Sequence, residues 1–132
     1  MIKKVTAAIV VKNNKFLIAQ RSPTFKVPYK WEFPGGKMED GETPEQCLER
    51  EILEELNIKI LVTNFFDQSP YDYPHGKILL LAYFATWVSG EIRLNNEHID
   101  YCWATIDELS QYDFSPADIP IVQKLKSGFI KT

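Results

Sequence analysis

The sequence predicts an α/β sandwich with helices packed on the faces of a central mixed sheet, and three observations carry that expectation. Runs rich in Val, Ile, Leu and Phe recur along the chain with turn residues between them, as strands require. Two well-capped helical segments interrupt these runs, and such interleaving places helices against a sheet. The 132 residues suit one domain spanning 1–132, since domains most often hold about 100 to 150 residues.

Each element follows from local chemistry. Residues 2–11 and 16–20 flank Asn13-Asn14, a pair that tolerates left-handed turn geometry, and read as a hairpin. Residues 22–30, with Pro23 and Pro28, form a loop, and Trp31-Glu32-Phe33 is a short extended piece stopped by Pro34-Gly35-Gly36. Thr43 as N-cap, Pro44 at the first helical position and Gln46 closing a capping box start a helix over 44–56. Asn57 then supplies the left-handed residue that ends it. Further strands are expected at 58–66, 77–88 and 98–104, separated by Pro70, Pro74, His75-Gly76 and Ser89-Gly90. Thr105 to Glu108 repeats the capping-box pattern for a short helix, and Ser115-Pro116-Ala117-Asp118 opens a C-terminal helix ending near Ser127-Gly128. Phe65, Phe66, Tyr71, Tyr73, Tyr83, Phe84 and Trp87 read as sheet core, and His75 and His98 as surface loop residues.

Composition narrows the function. Apolar residues make up 45% and charged residues 25%, an ordinary globular balance with enough aliphatic side chains for a core. A net charge of −3 offers no basic field for a nucleic-acid polymer, so a free nucleotide fits better. The two cysteines, Cys47 and Cys102, lack disulfide-framework or zinc spacing and read as reduced thiols of a cytoplasmic protein. No stretch reaches the roughly 18 to 20 apolar residues of a membrane span. The association state stays open between monomer and homodimer.

The 44–56 helix carries the chemistry. At about 100° per residue, Leu48, Ile52, Leu53 and Leu56 share one side, while Glu51, Glu54 and Glu55 cluster on another. Three carboxylates so close, two of them at the negative C-terminal end of the helix, repel one another unless a cation sits there. Hard oxygen donors with no His or Cys among them suit Mg²⁺, with Mn²⁺ as the alternative.

Gly36, Glu42, Arg50, Glu51, Ile52, Glu54, Glu55, Asn57 and Ile58 match the gap-free spacing of the Nudix signature, with Asn57 the single departure, and the chain resembles MutT-like nucleoside triphosphate pyrophosphohydrolases. Trp31 to Lys37 and Phe114 to Asp118 are similar to that family's segment before the helix and to its base-reading corner. The resemblance implies an α/β/α sandwich in which Glu51, Glu54 and Glu55, the Gly35 carbonyl, and Glu97 from a later loop hold the metal. It also implies attack of water on phosphorus, with Glu51 taking the proton, to give a nucleoside monophosphate and pyrophosphate. Arg50 follows Glu42 by about two helical turns, so their ion pair can brace the loop and steer the carboxylates.

Arg21 and Lys37 are candidates to meet the phosphates, and Phe33 to touch the base. Asp118 bears on base choice. Several MutT-like enzymes place Asn there to read an oxidised guanine, whereas similar members with an Ala-Asp-Ile-Pro run use or accept cytidine nucleotides. A carboxylate accepts from either donor edge. The leading expectation is a noncanonical dNTP such as 8-oxo-dGTP, with CTP or a modified dCTP as the alternative. A non-catalytic nucleotide-binding regulator is the reading from a different class.

Overall fold

The computed structural model describes residues 2–128. Strand β1 (Lys3–Lys12) turns at Asn13-Asn14 into β2 (Lys15–Arg21), and both asparagines have positive φ, 52° and 61°, as the two-residue hairpin requires. Short strands β3 (Trp31–Glu32) and β4 (Gly35–Lys37) lead into helix α1 (Pro44–Leu56). A long hairpin of β5 (Ile58–Tyr73) and β6 (Gly76–Gly90) follows, then β7 (His98–Thr105), a 3₁₀ turn (Glu108–Gln111) and helix α2 (Ile119–Gly128). The strands run in the order β3-β2-β1-β6-β5, with β4 also paired to β1 and β7 to β2. β1 and β6 are parallel and the other pairings antiparallel, so the sheet is mixed as expected.

Period-two alternation in β1 and β2 builds a core on each face of this sheet. Ala7, Ile9, Phe16 and Ile18 face one cluster, which Ile121 and Leu125 of α2 complete with Phe33 and Phe114. Ala8, Val10 and Leu17 face the other, covered by Leu48, Ile52 and Leu56 of α1. A layer of helix on either side gives the α/β/α sandwich. No helix among the described residues is long and apolar enough to cross a membrane.

Helix α1 starts and stops where its chemistry dictates. Thr43 Oγ1 accepts from the Gln46 amide at 3.1 Å, and Gln46 Oε1 accepts from the Thr43 amide at 3.0 Å. Asn57 takes φ 61°, its amide bonded to the Leu53 carbonyl and its side chain donating to the Glu91 carbonyl at 3.1 Å. Leu53 departs from expectation. It is 56% exposed, since it lies about 140° around the helix from Leu48, beyond the buried stripe.

Four other differences have physical causes. Pro34-Gly35-Gly36 does not end the extended chain: Gly35 and Gly36 enter β4, because without a Cβ the backbone can lie hard against β1. A Cβ on Gly35 would sit 1.9 Å from the Thr6 carbonyl oxygen. Strand β5 runs straight through Pro70, which an edge strand tolerates, and three register shifts turn Phe65 out to 50% exposure, while Tyr71 is 41% exposed near the hairpin tip. These two aromatics are therefore surface residues, while Tyr73 is buried as expected. Helix α2 begins at Ile119, later than the Ser-Pro pair implies, because the Ser115 amide bonds to the Trp31 carbonyl at 2.8 Å and holds that segment against β3. His98 is buried at 4% exposure, since β7 starts there and pairs it with Arg21; His75 lies exposed in the β5–β6 turn as expected.

Asn57→Ala is expected to lower the unfolding free energy by about 1 kcal/mol, from left-handed backbone strain and the lost bond to Glu91. Asn57→Gly, which restores backbone freedom, should lose less; urea titration of both variants checks this, and equal losses would contradict the account.

Candidate active site

A cavity of about 780 Å³ opens between α1, β4 and the segment 115–118. Its lining brings together eight of the ten residues singled out from the sequence: Glu51, Glu55 and Glu97 at one end, Phe33 and Asp118 at the other, with Arg21, Gly35 and Lys37 also on the wall. Arg50 and Glu54 are outside it.

Arg50 acts as a brace rather than a wall. Its Nε and Nη2 grip both oxygens of Glu42 at 2.6 and 3.0 Å, and its Nη1 meets Glu51 Oε2 at 2.5 Å. The fork geometry ties the 37–42 loop to α1 and sets the direction of Glu51. Hydrogen bonding from Arg50 draws the Glu42 carboxyl down to about 2. Gly36 completes this fit, since a Cβ there would lie 2.1 Å from Glu51 Oε1. Glu54 is the outlying acid, 58% exposed at its side chain and only 3.5 Å from Arg50 Nη1 at its nearest.

Glu55 is the buried acid. It is 3% exposed, and its Oε1 has no hydrogen-bond partner among the described residues. Burial, followed by hydrogen bonding with Glu51 and the charges of Glu97 and Glu32, pushes its carboxyl up to about 12. An orphaned carboxyl oxygen beside two further acids is the environment a divalent cation satisfies, so the residues present fit Mg²⁺ or Mn²⁺.

The segment after β6 delivers Glu97 to this point. Asn95 bonds through its amide and Nδ2 to the carbonyls of Glu55 and Glu54, capping the end of α1, and its Oδ1 accepts from the Glu97 amide at 2.9 Å. The Glu97 carbonyl in turn accepts from the Ser22 amide at 2.8 Å.

Two residues missed from the sequence sit behind the acids. Glu32 bridges Arg21 Nη1 at 3.0 Å and His98 Nε2 at 2.8 Å. Burial raises the Glu32 carboxyl, but the His98 hydrogen bond and the Arg21 charge outweigh it and hold the group below its ordinary range. Arg21, expected at the phosphates, is thus partly engaged by Glu32 and by the Lys26 carbonyl. The available signal for Glu32 was its place in Trp31-Glu32-Phe33, where a buried charge needs partners.

The far end is apolar with a few directed polar groups. Phe33 stacks on Phe114 at 5.8 Å between ring centres, and Tyr73 Oη accepts from the Ala117 amide at 3.0 Å. Asp118 is 4% exposed, with Oδ1 accepting from the Phe33 amide at 3.0 Å. Burial and the nearby Glu32 charge hold its carboxyl well above the usual carboxylate range.

The α/β/α sandwich thus presents helix carboxylates at one end of a cavity and an apolar pocket with a few directed polar groups at the other. The NUDIX domain family matches residues 2–125, and the chain belongs to it. It is 35% identical over 127 residues to an 8-oxo-dGTP diphosphatase of Escherichia coli strain K12, covering 94% of this chain and 98% of the relative. It is 34% identical over 120 residues to a CTP pyrophosphohydrolase of the same organism, covering 91% and 88%. The solution structure of the E. coli ORF135 protein superposes with a TM-score of 0.81 at 30% identity, covering 99% of this chain and 95% of that one.

The Glu42–Arg50 pair sets an acid-side expectation. Glu42's folded value of about 2 lies below its ordinary 4.5, so the pair's stabilising contribution is complete above 4.5 and is lost as pH falls toward 2. An NMR titration of the Glu42 carboxyl should give a midpoint near 2 that returns to the ordinary range in Arg50→Gln.

Proposed function

We propose that the chain is a divalent-cation-dependent nucleoside triphosphate pyrophosphohydrolase of the MutT type that releases a nucleoside monophosphate and pyrophosphate. One observation carries the reading: the partnerless buried Oε1 of Glu55 lies with Glu51 and Glu97 at the acidic end of a cavity whose other end is lined by Phe33, Ala117 and Asp118. The identity to relatives named for this activity supports it.

In this reading Glu51, Glu54, Glu55 and Glu97, with the Gly35 carbonyl, hold Mg²⁺ or Mn²⁺. When bound, the cation neutralises phosphate oxygens and makes water more acidic. Glu51, aimed by Arg50, takes the proton of the attacking water. Arg21 and Lys37 steady the phosphates. Phe33 packs against the base, and Asp118 reads its hydrogen-bonding edge. The partner is a small nucleotide rather than a polymer, and the two free cysteines support a reducing, cytoplasmic setting.

The preferred substrate is 8-oxo-dGTP or a similar damaged dNTP. Asp118 in place of an amide keeps a second reading, CTP or a modified dCTP, because a carboxyl can meet the cytosine amino group. Pyrophosphate release from 8-oxo-dGTP, dGTP, CTP and 5-methyl-dCTP separates the two, with 8-oxo-dGTP expected at least about tenfold ahead of dGTP. Equal rates on all four would overturn both. Asp118→Asn should shift preference toward 8-oxo-dGTP over CTP by about tenfold, the value of one base-edge hydrogen bond.

Glu55→Gln is expected to cut Mg²⁺-dependent turnover by more than about 100-fold, beyond the loss seen on removing groups that only support a metal ligand. Gly36→Ala should lower turnover by on the order of tenfold by displacing Glu51, with circular dichroism unchanged.

A further inference from the structure

The hidden side of Glu55 carries an observation that the carboxylates alone do not explain. His98 is 4% exposed, its Nδ1 has no hydrogen-bond partner among the described residues, and that atom lies 3.9 Å from the equally partnerless Oε1 of Glu55. Two buried, unpaired polar atoms facing each other at such a separation are too far apart for a hydrogen bond. Each carries a desolvation penalty when left unsatisfied. A single group bridging the two atoms would satisfy both.

The tautomer limits what that can be. Glu32 Oε2 lies 2.8 Å from His98 Nε2, and Glu32 is ion-paired to Arg21, so it serves as an acceptor and Nε2 carries the hydrogen. A neutral imidazole that donates from Nε2 presents a lone pair at Nδ1, and Glu55 in the ionised form a cation would hold presents a second one facing it. A cation resolves this contact. A metal-bound histidine almost always gives its other ring N–H to a carboxylate, which fixes tautomer and ring orientation, and Glu32 stands in that position. Ligating atoms of Glu55, Glu97 and His98 all lie within 4.8 Å of one another. Two donors about 2.1 Å from one ion are separated by roughly 3.0 to 3.4 Å, so a closure of under about 1 Å suffices.

We propose that Nδ1 of His98 is a nitrogen ligand to a divalent cation shared with Glu55 and Glu97, making the inner metal position a mixed imidazole and carboxylate site. The proposal rests on the metal-dependent reading above. Imidazole nitrogen favours Mn²⁺ and later first-row ions over Mg²⁺, so this position discriminates among metals in a way an all-oxygen site does not. Adjacent residues at the start of β7, Glu97 and His98, then supply two ligands, and Glu32 ties them to Arg21 at the cavity wall.

The test uses the full chain loaded with Mn²⁺, whose electron spin reports directly bound nitrogen through electron spin-echo modulation. The sequence holds two histidines, so a His75→Gln protein leaves His98 as the sole imidazole. Nitrogen-14 coupling of directly coordinated strength is expected in His75→Gln, with the pattern changing on nitrogen-15 histidine labelling. His98→Gln should lose the coupling and show at least a tenfold smaller ratio of Mn²⁺ to Mg²⁺ affinity by calorimetry. Bound Mn²⁺ without nitrogen coupling in His75→Gln would overturn the proposal while leaving the hydrolase reading in place. Failure of the wild-type chain to bind Mn²⁺, with or without a nonhydrolysable nucleotide, would overturn both. Should His98→Gln not fold, the labelled His75→Gln protein alone decides.

Discussion

Holding the Glu55 carboxyl out of water is the constraint around which the rest of the molecule is arranged. A buried acid flanked by Glu51 and Glu97 is unfavourable in isolation, and its position is kept because the groups on either side of it in α1 are secured elsewhere. Ile52 and Leu56 lock the helix onto one face of the sheet, and the Asn57 amide and Asn95 satisfy carbonyls at its end. Apolar packing and terminal capping thus supply the rigidity, and the acids inherit it. The same logic explains Arg50, which fixes Glu51 from the solvent side without entering the cavity.

The cavity divides its labour along its length. Charge collects where α1, β4 and the segment before β7 meet; shape and a few directed polar groups collect where β3 meets the 113–118 segment. Glu32 lies between these ends and influences both, through His98 toward Glu55 and through its field toward Asp118. A polyphosphate with a base at one end has the same polarity along its axis.

What could be read from the sequence was local. The α1 caps, the Asn13-Asn14 turn and the Glu42–Arg50 spacing depend on neighbours within about two helical turns, and each is found where expected. Eight of ten candidate residues line one cavity because the Nudix spacing and the segments at 31–37 and 114–118 fold toward the same place. Most of the failures were long-range. Burial of His98 and its bond to Glu32, 66 residues away, exist because β2 pairs with β3 at Glu32 and with β7 at His98, which no window of sequence displays. The exposure of Phe65 follows from register shifts against β6, and that of Leu53 from one step of helical rotation.

Strand β1 sends alternate side chains into two different cores and is gripped by β6, β4 and β2 along its length. Inserting or deleting a single residue there would exchange the two sets, pressing Ile9 against α1 and Val10 against α2, and would carry Thr6 away from Gly36 at the rim of the acids. A change of chain length is therefore far better accommodated by a surface connection such as 22–30 than by this central strand.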